Sequence, residues 1–159
     1  MPLISPTDGD AVQLGGLGVR FMAAGEGFAL VEHPIAPRTL AAPMHVHEHE
    51  DEYSYVLEGR MGALLGEDVV YAEVGDLVFK PRNQWHTFWN AADEPCRVLE
   101  IIAPAGFENY FDEMVELLAQ GPPDFQVIGK IAERYGLEVK PETIPELCER
   151  FGVTFGPPQ

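Results

Sequence analysis

The stretch Met44-His45-Val46-His47-Glu48-His49-Glu50-Asp51-Glu52 sets three of the chain's five histidines on alternate residues, with acids crowded behind them. Side chains alternate faces along a strand, so His45 and His47 point the same way, their Cα atoms roughly 7 Å apart. Two imidazoles at that spacing can converge on one ion, since a ring nitrogen sits about 2.0–2.1 Å from a bound metal. Glu50-Asp51 reads as a corner. A second strand then starts at Glu52 and runs through Tyr53-Ser54-Tyr55-Val56-Leu57 to Glu58-Gly59. That hairpin-like return brings Glu52 back beside His47.

A fourth donor comes from Gly75-Asp76-Leu77-Val78-Phe79-Lys80-Pro81-Arg82-Asn83-Gln84-Trp85-His86-Thr87-Phe88-Trp89-Asn90, where a strand ends in a Pro-Arg-Asn turn and His86 opens the next. Three imidazoles and a carboxylate make a mixed nitrogen and oxygen set. Such a set suits a divalent transition metal (Fe, Mn, Ni, Co, Cu or Zn) and suits Ca or Mg poorly.

Outward from these segments, residues 1–103 alternate short β-rich runs with turns. Strands are expected near Val12–Leu14, Val19–Met22, Phe28–His33, Leu40–His47, Glu52–Leu57, Met61–Leu65, Val69–Glu73, Leu77–Lys80, His86–Asn90 and Arg97–Ile102. Strands this short, with turn residues this dense, predict an all-β sandwich or barrel. Pro34, Pro37 and Pro43 predict an edge or a bend.

After Ala103-Pro104 the period becomes helical. Phe107, Phe111, Met114, Val115 and Leu118 share one face of an amphipathic helix of about four turns, stopped at Gly121-Pro122-Pro123 and expected to lie against the outside of the barrel. Its polar face is acidic, so it reads as a packing helix rather than a membrane-surface one. Residues 128–139 (IGKIAERYGLEV) are echoed by residues 144–155 (IPELCERFGVTF). A duplicated helix–turn–strand unit follows, with Gly136 and Gly152 as helix stops.

With 10 Lys and Arg against 26 Asp and Glu, the net charge is −16. Such a surface repels phosphate backbones and anionic membranes, so nucleic acid and membrane are not expected partners. The first ten residues hold neither a basic nor an apolar signal region, and no apolar run approaches the ~20 residues of a membrane span. The expected location is the cytoplasm, and Cys96 and Cys148 are expected as free thiols.

Both histidine segments resemble the two signature motifs of the cupin superfamily. The first is two histidines one apart, a glutamate a few residues on and a glycine after six more, here His45, His47, Glu52 and Gly59. The second is a glycine, a proline after five, a histidine and an asparagine after three, here Gly75, Pro81, His86 and Asn90. Asn83 stands where the motif usually has glycine, and Asn tolerates the left-handed backbone that this turn needs. The likeness covers roughly residues 40–103, and the helical tail is similar to that of small bacterial cupins described as quercetin-dioxygenase-like.

The resemblance implies a cupin jelly-roll β-barrel over residues 1–103, with a C-terminal α-helical extension over 104–159 packing on it. It implies one divalent transition metal inside the barrel, held by His45, His47, Glu52 and His86, with two positions left for water, oxygen or substrate. It also implies a homodimer. Tyr53 or Ser54, Phe88, Asn90 and Met44 are candidates to line the cavity. Trp85 and Trp89 should point outward, into a subunit contact or beneath the tail. His49 reads as a solvated rim residue and His33 as structural, while Lys80, Arg60 and Arg82 read as surface salt-bridge partners.

The expected function is a metal-dependent oxidoreductase, a dioxygenase acting on a small phenolic or enolisable compound. Glu52 serves as ligand and, by analogy with quercetinase-like proteins, as catalytic base. The rivals are a non-catalytic binding or sensing module and a metal-dependent isomerase or lyase that uses no oxygen.

Overall fold

A computed structural model describes residues 3–122 and 124–157. Its first eleven strands are β1 (Ala11–Leu14), β2 (Leu17–Ala24), β3 (Ala29–Ile35), β4 (Thr39–Leu40), β5 (Met44–His47), β6 (Asp51–Glu58), β7 (Met61–Leu65), β8 (Asp68–Ala72), β9 (Leu77–Lys80), β10 (His86–Asn90) and β11 (Cys96–Ala103). The tail supplies α1 (Asn109–Ala119), α2 (Phe125–Arg134), β12 (Leu137–Lys140) and α3 (Ile144–Phe151). Two sheets face each other, one in the order β1-β2-β3-β11-β6-β9 and the other β12-β5-β10-β7-β8, with β4 also on β10. This is the expected jelly-roll barrel, followed by helices. Among the described residues no helix is long and apolar enough to cross a membrane.

The expected strands form with small shifts at their ends and one split. The run Leu40–His47 breaks into β4 and β5, because Pro43 lies between them and cannot donate to a ladder. Pro34 departs from its expected place at an edge or bend. It sits within β3, a strand paired on both sides, opposite Arg97 of β11, and on the β2 side it falls in the gap between the Leu17–Ile35 and Arg20–Glu32 pairs. Gly59 takes a left-handed φ of 73°, and a Cβ there would come within 2.5 Å of the Pro95 carbonyl oxygen.

Period-2 alternation sorts each wall strand. In β6, Glu52, Ser54 and Val56 face inward, and in β11 Cys96, Val98, Glu100 and Ile102 do so. One end of the barrel is filled by apolar side chains, including Leu17, Ile35, Met61, Phe88 and Val98. The other end is capped by the tail. There Phe107, Phe111 of α1, Ala132 of α2 and Leu137 of β12 pack with Val19, Val31 and Ile102. Thus α1, 11 residues or about three turns, closes the barrel mouth instead of lying on its outer wall. A helix's apolar stripe says that it must pack but not against which surface. Pro123, part of the expected stop, lies outside the described residues.

The echoed segments fold as two helix–glycine–strand units. Gly136 (φ 63°) ends the first and Gly152 (φ 65°) the second. Their strands join the same sheet, β12 on β5 and Thr154 as a lone bridge to Thr39. Trp89 points out of the barrel and is fully buried under α3, its ring stacked on Phe151 at 3.8 Å. Trp85 also meets the tail, with Lys140 Nζ 3.8 Å from its ring centre. Both cysteines are free. Replacing Trp89 with alanine should cost about 3–5 kcal/mol, read as a lower urea midpoint at unchanged slope. Gly62→Ala should also destabilise, by about 1–3 kcal/mol, because its Cβ would fall 2.3 Å from the Trp89 indole.

Candidate metal centre

Neighbouring strands bring the histidines together. β10 runs antiparallel to β5 with His86 directly opposite His45. Two residues along β5, His47 faces the same interior. The turn before β10 is held by Asn83, left-handed at φ 63°, whose N–H donates to the His47 carbonyl at 2.7 Å. Asparagine does the work of the motif's glycine here. From the opposite sheet β6 brings in Glu52, paired across its two neighbours with Lys80 and Ile102.

Ligand atoms of His45, His47, Glu52 and His86 all lie within 4.8 Å of one another, and all four residues are buried. His45 Nδ1 is 2.9 Å from the Pro43 carbonyl and His86 Nδ1 is 3.0 Å from that of Gln84. Protons on those Nδ1 atoms leave the Nε2 lone pairs free for the interior, the arrangement that orients a metal-binding imidazole. Nε2 of His86 and of His47 stand 3.1 and 3.3 Å from Glu52 Oε2. Behind the site, His47 Nδ1 lies 3.5 Å from Glu50 Oε2, and neither buried atom has a hydrogen-bond partner among the described residues.

Burial, then the neighbouring His86 and His47, hold His45 well below the ordinary histidine pKa, so it is neutral at pH 7. Burial also acts against a charged His47, but Glu52 and Glu50 outweigh it and raise that pKa. For Glu52, burial is overcome by His47, Lys80 and His86, which hold the carboxyl well below its usual range. An ionised carboxylate ringed by inward ring nitrogens, deep in an apolar barrel, fits a resident cation. These four residues would hold a divalent transition ion.

The surroundings differ from expectation at several points. Lys80 is no surface residue. It is 1% exposed inside the barrel, with Nζ 2.8 Å from Glu100 Oε1 and 3.5 Å from Glu52 Oε2. Asn90 is buried but spans the Ile35, Ala36 and Glu94 carbonyls with its amide, fastening a loop at the far end. Met44 packs toward α3, and Tyr53 turns outward to stack on Phe79. Of that pair Ser54 is the inward residue, donating to Glu100 at 2.6 Å. Phe88 lines the cavity, as does His33, whose Nδ1 meets the Gly18 carbonyl at 2.9 Å. His49 is exposed outside the site, and Arg60 and Arg82 form surface ion pairs with Glu73 and Asp51.

The cavity holds about 100 Å³, and its roof of Phe107, Tyr110, Phe111, Leu137 and Val139 belongs wholly to the tail. The Phe107 ring meets that of His47 edge-on at 4.3 Å. None of these roof residues stands in the two motifs. For Phe107, Tyr110 and Phe111 the trace in the sequence is the aromatic run of the first helix, and for Leu137 and Val139 it is the strand of the first echoed unit.

Residues 31–102, most of the barrel, match the family model of the cupin domain. Solved structures similar to it agree on the fold. An RmlC-like cupin from Shewanella frigidimarina is 18% identical, with a TM-score of 0.59 over 69% of this chain and 96% of that one. KdgF from Halomonas sp. is 19% identical, with a TM-score of 0.58 over 63% and 90%. A Streptomyces Pac13 structure with uridine is 14% identical, with a TM-score of 0.58 over 69% and 87%. Pac13 is described as a nucleoside dehydratase. The comparison with curated proteins gives no match.

Metal uptake should follow the imidazole protons. With the His47 pKa raised, a proton competes for that nitrogen at and below neutrality. Apparent affinity should therefore fall by ~tenfold per pH unit for each proton displaced on acidification, and level off in mildly alkaline buffer. Titration with a chelator-buffered metal between pH 5.5 and 8.5 measures this. His86→Ala should weaken uptake by at least ~100-fold at any of these pH values.

Proposed function

We propose that the protein is a metal-dependent dioxygenase acting on a small enolisable compound. The observation that carries the proposal is the convergence of three imidazoles and one carboxylate, of which His45, His47 and Glu52 line an apolar, roofed cavity. A divalent transition ion bound there supplies Lewis acidity and a redox couple.

The chain's own groups do the rest. Glu52, the carboxylate of the set, is the candidate base toward the acidic proton of a substrate hydroxyl or α-carbon. The aromatic roof keeps bulk water from the reacting atoms. Volume sets the substrate size. About 100 Å³ is well below the roughly 300–1,000 Å³ that drug-sized ligands occupy, which favours a compound of a few heavy atoms over a flavonol.

One observation favours a second reading. Lys80 Nζ lies 3.5 Å from Glu52 Oε2, which gives an acid beside a base, as an isomerase or lyase working without oxygen would need. The two readings separate in one experiment. Small 1,3-diketones and α-hydroxyketones are added anaerobically to protein of known metal content, and oxygen is then admitted. Oxygen uptake that matches substrate loss supports the dioxygenase. Product formed before oxygen enters supports the second reading, and neither result with the metal in place defeats both. Per bound metal, Glu52→Gln should lower turnover by about 10²–10⁴-fold.

A further inference from the structure

Lys80 and Glu100 form a buried ion pair that the metal set does not use. Both side chains are 1% exposed, and Ser54 Oγ clamps the second oxygen of Glu100 at 2.6 Å. A buried pair of this kind is weak evidence for stability, since well-packed apolar side chains often do as well. Its place is telling. Lys80 lies on the cavity wall with Glu52, His45 and His47, over the Phe88 ring at 4.7 Å. Among the described residues it is the one Lys or Arg on that wall, in a chain of net charge −16.

An ammonium has three donors. Nζ lies 2.8 Å from Glu100 Oε1 in an ion-pair contact, and the 3.5 Å to Glu52 is too long for a good hydrogen bond. Donor capacity therefore remains at the cavity wall. Charge points the same way. On the cavity wall itself Glu52, Glu100 and Lys80 sum to one negative charge, and a dication reverses that sign, with Glu50 behind His47 the other nearby carboxylate.

We propose that Lys80, positioned by Glu100 and Ser54, binds an anionic oxygen of the substrate beside the metal, so that the cavity selects small carboxylates or enolates over neutral molecules of equal size. The proposal deepens the metal-dependent reading and rests on it for the second anchor. Lys80 is a binding residue, and Glu100 and Ser54 are positioning residues.

The test compares acetate with acetamide, which match in size and differ in charge. Both are titrated calorimetrically into zinc-loaded full-length protein whose metal content is measured separately. Wild type should prefer acetate. Lys80→Met alone would strand a buried carboxylate, so Lys80→Met is combined with Glu100→Gln, which leaves the net charge unchanged. This double variant should keep its zinc and lose ~tenfold in acetate affinity, with acetamide unaffected. Acetate binding equal to wild type in the folded double variant overturns the proposal. Should the double variant not fold, Ser54→Ala decides, because losing the clamp on Glu100 should cost Lys80 severalfold in acetate affinity, with acetamide and zinc unaffected. No change, or a gain, overturns it. Absence of zinc from wild type would sink the metal reading on that measurement alone, while the acetate difference between wild type and variant still decides the role of Lys80.

Discussion

Glu52 Oε2 stands within 3.5 Å of three side-chain nitrogens, those of His86, His47 and Lys80, in a residue 5% exposed. Leaving such a carboxylate without compensating charge inside an apolar barrel is expensive, so the rest of the wall is arranged around it. One sheet brings the imidazoles by pairing β10 with β5, and the other brings Glu52, Lys80 and Glu100 on three adjacent strands. The centre is thus made between the sheets, and neither sheet holds it alone. That is why the barrel must close before the chemistry exists.

The histidines could be found in the sequence because a period of two with a coordinating ring at each step has few other uses. The turn at Asn83 was legible too, since an asparagine replacing glycine still reaches φ 63°. Lys80 was not. In Leu77-Val78-Phe79-Lys80 both parities carry large apolar side chains, so no alternation says which face is inside. The register on β6 decides it, exposing Leu77 and Phe79 and burying Val78 and Lys80. A cue was present in the acids: Glu52 and Glu100 fall on inward positions of their strands, and two buried carboxylates call for cations.

The cavity roof was illegible for another reason. Amphipathic spacing in the first helix announced burial of Phe107 and Phe111, and both are buried. It carried no address. The barrel mouth and the outer wall present equally apolar surfaces to a helix, and only the three-dimensional path of the chain after β11 distinguishes them. Asn90 shows the converse case, a motif position whose face was foreseen but whose amide is spent on backbone carbonyls of a loop.

The strand that follows the roof helices is hydrogen-bonded to the strand that carries two of the imidazoles, with Leu137 opposite His47 and Val139 opposite His45. Roof and ligands therefore share a seam. Lifting the tail far enough to widen the chamber would unzip β12 and turn β5 into a bare sheet margin, slackening the two rings at the moment the interior is laid open. Access to the chamber and the setting of His45 and His47 are geared together by that ladder.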